Sequence, residues 1–90
     1  MANIRSAIKR ARQSEKRRAR NRSIRTRVRN VSKRVVMAVA TGNGSAAGSA
    51  LTAAQSVIDR AAKRGVLHRR AASRRKSRLA RRVNRMAAGA

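Results

Sequence analysis

The 90-residue sequence contains no cysteine, no proline and no aromatic residue of the phenylalanine, tyrosine or tryptophan type. Without cysteine there is no disulfide, no thiolate metal site and no cysteine nucleophile. The single histidine, His68, cannot form a metal cluster, and the two acids, Glu15 and Asp59, offer little for acid–base catalysis. The sequence therefore predicts neither an enzyme nor a protein with a metal or cofactor.

The absence of aromatic residues also restricts how the chain could bind nucleic acid. Proteins that read single strands commonly stack the bases on aromatic side chains. This leaves contacts to the phosphates and 2′-OH groups of a folded RNA, or to the backbone of duplex DNA, with recognition mostly by shape.

Long apolar runs are missing as well. The longest uncharged segment, residues 35–58, is interrupted at Gly42 to Ser45, and no apolar stretch follows the basic N-terminus. We therefore expect neither a membrane span nor a signal peptide.

Positive charge dominates what is present, since 26 Lys and Arg against two acids give a net charge of +24. Residues 1–34 carry +13, residues 35–58 carry none and residues 59–90 carry +11. Of the apolar residues, 19 are Ala and only 15 are Leu, Ile or Val. Repulsion between the positive charges and a small apolar core predict a protein that binds a polyanion. We expect it to fold completely only when its charge is neutralised.

The composition favours helix everywhere except near the glycines. We predict an all-α fold, a three-helix bundle forming a single domain over residues 1–90. Asn3 is the predicted cap of the first helix and Ser45 of the second, while Gly65 is predicted to follow the end of the second. The predicted helices span residues 3–41, 45–64 and 67–87.

Apolar residues recur at helical spacing and predict one buried stripe on each helix. The stripes consist of Ile24, Val28, Val31, Val35 and Val39; Ala47, Ala50, Leu51, Ala54, Val57, Ile58, Ala61 and Ala62; and Ala72, Leu79, Val83 and Met86. Upstream of Ile24 the first stripe continues into hydrophilic residues, while Ile4 and Ile8 point the opposite way. Residues 3 to about 22 are therefore predicted to project as a basic helical arm, or to stay disordered until a phosphate surface lies alongside.

The acids are interpreted as helical ion pairs, Glu15 with Arg12 and Arg18, and Asp59 with Lys63. For His68 two interpretations stay open, capping or packing at the turn before the third helix and contact with a phosphate.

Four segments together resemble a known family: Met1 to Ala7, Gln13 to Lys16, Asp59 to Arg69 and Ala71 to Leu79. They are similar to bacterial small ribosomal subunit protein twenty, the S-twenty family. The resemblance implies a three-helix bundle with a long projecting first helix. It also implies a cytoplasmic, ribosomal protein that binds 16S rRNA early in assembly, in the 5′ domain and next to the long penultimate stem. Other small-subunit components would be neighbours, and we expect no homo-oligomer.

Carried over by position, the resemblance implies contacts to RNA from the arm and from the third helix. The implied RNA-binding residues are Asn3, Arg5, Ser6, Lys9, Arg10, Arg12, Gln13, Lys16, Arg17, Arg20, Asn21, His68, Arg69, Arg74, Arg75, Lys76 and Arg78. Two positions depart from the family pattern. Arg75 stands where histidine is frequent, and the turn at Gly42 to Ser45 is uncharged where acids or lysines are common.

Charge alone equally permits a histone-like protein that compacts DNA. A membrane-active amphipathic peptide is a weaker alternative, because the apolar faces consist of Ala and Val rather than Trp, Phe and Leu.

Overall fold

A computed structural model describes residues 2–89, which form three helices and confirm the predicted all-α class. The helices are α1 (Ala2–Ala40), α2 (Gly44–Lys63) and α3 (Arg69–Gly89). The described residues measure 68 × 22 × 13 Å, and α1, whose 39 residues span about 58 Å at 1.5 Å per residue, accounts for most of the longest dimension. The most extensive contact is between α1 and α2, and the smallest is between α1 and α3.

The turn between α1 and α2 is closed by backbone hydrogen bonds. Gly42 has a φ of +74°, and its N–H and that of Asn43 donate to the carbonyls of Val39 and Ala38. This is a Schellman motif, for which the left-handed residue is usually glycine. Asn43 then caps α2, since its Oδ1 accepts a hydrogen bond from the Ala46 N–H at 3.1 Å.

Two predicted caps are therefore corrected. Ser45 does not cap α2, because the extended backbone of Asn43 already places an acceptor at the free amides and the helix begins at Gly44. Asn3 does not cap α1, because it lies inside the first turn of a helix that begins at Ala2.

Gly65 follows the end of α2, as predicted, with a φ of +78°. Its N–H donates to the Ala62 carbonyl, while Val66 and Leu67 both donate to the Ala61 carbonyl at 3.0 and 3.4 Å. The amides of Val66 and Leu67 thus belong to the hydrogen bonds that terminate α2. The third helix begins after them, at Arg69 rather than at the predicted residue 67. At its other end α3 extends beyond the predicted limit, to Gly89.

The core consists of the three predicted stripes, which the structure confirms. Nine hydrophobic residues are buried: Val28, Val31, Val35, Ala47, Ala54, Ile58, Ala61, Ala72 and Leu79. The other stripe residues are partly buried. Four of the nine are alanines, so close helix packing is achieved with little apolar area removed from water. None of the three helices, over residues 2–89, is long and apolar enough to cross a membrane.

Candidate nucleic-acid interface

The arm, residues 3–22, lies outside the bundle as a continuation of α1. Every residue from 3 to 20 is exposed, and Ile24 is the first residue of α1 that packs against the core cluster. Asn3 lies 21 residues before Ile24, which places it about 32 Å further along the helix axis. Ile4 and Ile8 are 61% and 51% exposed. The first half of α1 therefore presents its side chains to a partner rather than to the bundle.

The predicted contacts of the arm share one half of its circumference. Five of the basic residues are spaced by 4, 3, 4 and 4 and fall within about 80° of the helix circumference. We call them the arm stripe: Arg5, Lys9, Arg12, Lys16 and Arg20. The remaining predicted arm residues flank the stripe on the same half: Asn3, Ser6, Arg10, Gln13, Arg17 and Asn21. Apart from Asn21, which is half-buried, all are exposed.

The predicted residues of α3 are exposed except for Lys76, whose side chain retains 33% of its accessible area. Its Nζ lies 2.6 Å from Asp59 Oδ1 on α2. The predicted pairing of Asp59 with Lys63 is therefore wrong, because the packing of α3 on α2 brings a lysine from another helix to the carboxylate. Among residues 2–89 this is the ion pair that forms, and Glu15 has none with Arg12 or Arg18.

His68 is exposed and caps α3. Its carbonyl accepts the Ala72 N–H at 3.0 Å, and its Nδ1 accepts the Arg70 N–H at 3.2 Å. The capping interpretation of this residue is confirmed, while its contact with phosphate stays a prediction. Within residues 2–89 there is no group of three His, Asp or Glu side chains that could hold a metal ion.

A second basic surface crosses from α1 to α3 through a series of shallow clefts that share lining residues. On α1 it begins with four arginines spaced by 4, 3 and 4, which lie within about 60° of the helix circumference. We call this surface the arginine band: Arg18, Arg22, Arg25, Arg29, Arg69, Arg70, Arg74, Arg75 and Arg78.

Sequence reasoning missed the arginines that α1 contributes to this band. The signal that could have found them is the helical spacing of Arg18, Arg22, Arg25 and Arg29, the same kind of pattern that identified the apolar stripes. A smaller cleft between α1 and α2 also went unpredicted; it is lined by arginines 27, 60 and 64 over an apolar floor.

The arm stripe and the α1 part of the arginine band face different directions. At 100° per residue their centres are about 150° apart around α1. The structure thus joins Asn21 and the predicted arginines of α3 along one surface, while the arm stripe lies on another. A helix with basic surfaces on nearly opposite sides can contact phosphates on both sides at once.

These features define a class of protein, small all-helical proteins with a large excess of exposed positive charge. Within that class, the sequence model of the family described as Ribosomal protein S20 matches residues 2–84, and the chain belongs to this family. The predicted resemblance is confirmed. The family consists of structural ribosomal proteins and not of enzymes.

Curated relatives match over nearly the whole chain. Small ribosomal subunit protein bS20 of Maridesulfovibrio salexigens is 53% identical over 87 residues, covering 97% of this chain and 100% of the relative. The protein of the same name from Nitratidesulfovibrio vulgaris strain Miyazaki F is 53% identical over 83 residues, covering 92% and 95%. That of Aeromonas hydrophila is 48% identical over 87 residues, covering 97% and 100%. The chain is accordingly a protein of the small ribosomal subunit.

Proposed function

We propose that the chain binds 16S rRNA directly and stabilises the folding of that RNA during assembly of the bacterial small subunit, in the cytoplasm. The observation that carries this proposal is the pair of exposed basic surfaces on nearly opposite sides of α1. In the proposed complex the arm lies between RNA segments of the 5′ domain and the neighbouring long penultimate stem. The three helices act as a single domain, since all of them contribute to one core cluster.

The proposed mechanism is electrostatic. Each phosphate neutralised by Lys or Arg releases condensed counterions, and the released counterions supply much of the binding free energy. Arginine provides 21 of the 26 basic residues, and its planar fork can donate two parallel hydrogen bonds to one phosphate. With no Phe, Tyr or Trp for base stacking, recognition depends mostly on the arrangement of phosphates and 2′-OH groups in folded RNA.

The competing function is DNA compaction, which requires only a high positive charge. A gel-shift titration of the full chain against the 16S 5′-domain transcript and against duplex DNA, at matched salt, separates the two. We expect the transcript to bind at least about tenfold more tightly, because its folded shape places phosphates on both sides of α1. Equal affinity for the two nucleic acids would contradict the ribosomal proposal and favour the histone-like one.

A further inference from the structure

We propose that the cleft between α1 and α3 is a binding site for a single backbone phosphate of RNA, held by Arg25, Arg29 and Arg75. The inference rests on the proposed function and deepens it by naming the chemical group and the three arginines that hold it. It concerns the centre of the arginine band, where two helices contribute to one site.

The cleft has a volume of about 150 Å³. Besides the three arginines it is lined by Val28, which is 2% exposed, and by the half-buried Leu67. The apolar floor lowers the local dielectric constant, so an ion pair formed here is stronger than one on the open surface. Because the arginines are exposed, an RNA strand can reach them from solvent.

The charges of this cleft are unbalanced in the free protein. The acids of the described chain are Glu15, which lies in the arm, and Asp59, which is paired with Lys76 on α3. Neither lines the cleft, so the three guanidinium groups repel one another without a carboxylate between them. A phosphodiester carries one negative charge and two free oxygens, which suit the forked donors of arginine.

A phosphate bound in the cleft would also stabilise the packing of α3 against α1. The α1 and α3 helices share the smallest contact of the three helix pairs. A phosphate held by Arg25 and Arg29 from α1 and by Arg75 from α3 adds a link between these two helices. Binding of RNA would thereby stabilise the part of the bundle that the apolar core supports least.

A double-mutant cycle on full-length protein tests the site. The cleft variants are Arg25→Gln, Arg75→Gln and their combination. The matched control consists of Arg34→Gln, Arg81→Gln and their combination, since Arg34 and Arg81 are exposed arginines of the same two helices that do not line this cleft. Affinity for the 16S 5′-domain transcript is measured over a salt series, and circular dichroism of each complex verifies that the bundle is folded.

If the two arginines hold one phosphate, their effects are coupled. We expect each single cleft variant to lose about tenfold in affinity and to flatten the slope of log affinity against log salt by about one. The fold loss of affinity in the cleft double variant should be smaller than the product of the two single losses. Its slope of log affinity against log salt should be lower than that of the wild type by about one rather than two. The control losses should be smaller and should multiply.

Two results would overturn the site. Cleft variants that bind like the wild type would show that no phosphate lies there, and cleft losses that multiply with a slope change of two would show two separate phosphates. In either case a wild-type preference for the transcript over duplex DNA leaves the proposed function standing. A wild type without that preference refutes the proposed function, and the cleft site with it.

Discussion

At the scale of single residues, Gly65 is a position where the backbone conformation favours glycine over any residue that has a Cβ. Its φ of +78° lies in the left-handed region, and a Cβ at this position would meet nothing within 4 Å. The cost of Gly65→Ala is therefore conformational rather than steric, about 1–2 kcal/mol. We expect the substitution to lower the free energy of unfolding by that amount in thermal denaturation.

Gly48 supplies the matched control, because it lies within α2 with helical backbone and a Cβ there would also meet nothing within 4 Å. Gly48→Ala should raise the free energy of unfolding by about 0.5–1 kcal/mol, since alanine loses less backbone entropy on entering a helix. If both substitutions shifted stability in the same direction, the left-handed conformation of Gly65 would not be the cause.

The same residues show how far sequence reasoning extends at this scale. Gly65 could be predicted because the residues that end a helix are neighbours in sequence, and Lys63 and Arg64 precede it. The partner of Asp59 could not, since helical spacing ranks only residues on one helix, and Lys76 reaches the carboxylate by packing between helices. The sequence predicts Ser45 as the cap of α2, whereas Asn43 caps it in the structure, because both residue types are good caps and lie only two residues apart.

At the scale of elements, the arm separates from the bundle because it has no residue in the core. Residues 3–20 are exposed, and they carry eight basic residues and one acid. Deleting residues 1–20 removes seven basic residues that are predicted to contact RNA, so at about 0.9 per contact it should flatten the salt slope of binding to the 16S 5′-domain transcript by about six. The melting temperature of the bundle should change by less than about 4 °C. Filter binding over a salt series and calorimetry give the two quantities.

A full-length variant with glutamine at all five positions of the arm stripe is the control for this deletion. It keeps the helix and removes the charge of five of the seven predicted basic contacts, so its salt slope should fall by about 4.5, which is most of the fall expected for the deletion. A large fall in melting temperature on deletion would instead show that the arm packs against the bundle.

The helices and their stripes could be predicted from periodicity, because each core position repeats with the helical period and the breakers are glycines. The arginine band could be predicted only in part. Its α1 half follows from spacing within one helix, but the cleft depends on the angle at which α3 approaches α1. That angle depends on the side chains that pack between the helices, and no pattern within one helix specifies it.

At the scale of the whole molecule, a net charge of +24 opposes a core of nine buried residues, four of them alanine. Burial of so little apolar area leaves a small margin over conformational entropy, and repulsion between like charges reduces it further. The long-range part of this repulsion is screened as salt shortens the Debye length, from about 30 Å at 0.01 M to about 3 Å at 1 M. The stability of the free chain should therefore depend strongly on its ionic surroundings.

This balance predicts folding coupled to binding. Far-ultraviolet circular dichroism, with the spectrum of the RNA subtracted, should show less helix for the free chain at low salt than for its complex with the 16S 5′-domain transcript. Raising the salt concentration without RNA should recover part of the missing helix, because screening relieves the repulsion without adding contacts. If the free chain is already fully helical at low salt and its helix content does not change on adding RNA, the apolar core alone stabilises the fold against charge repulsion.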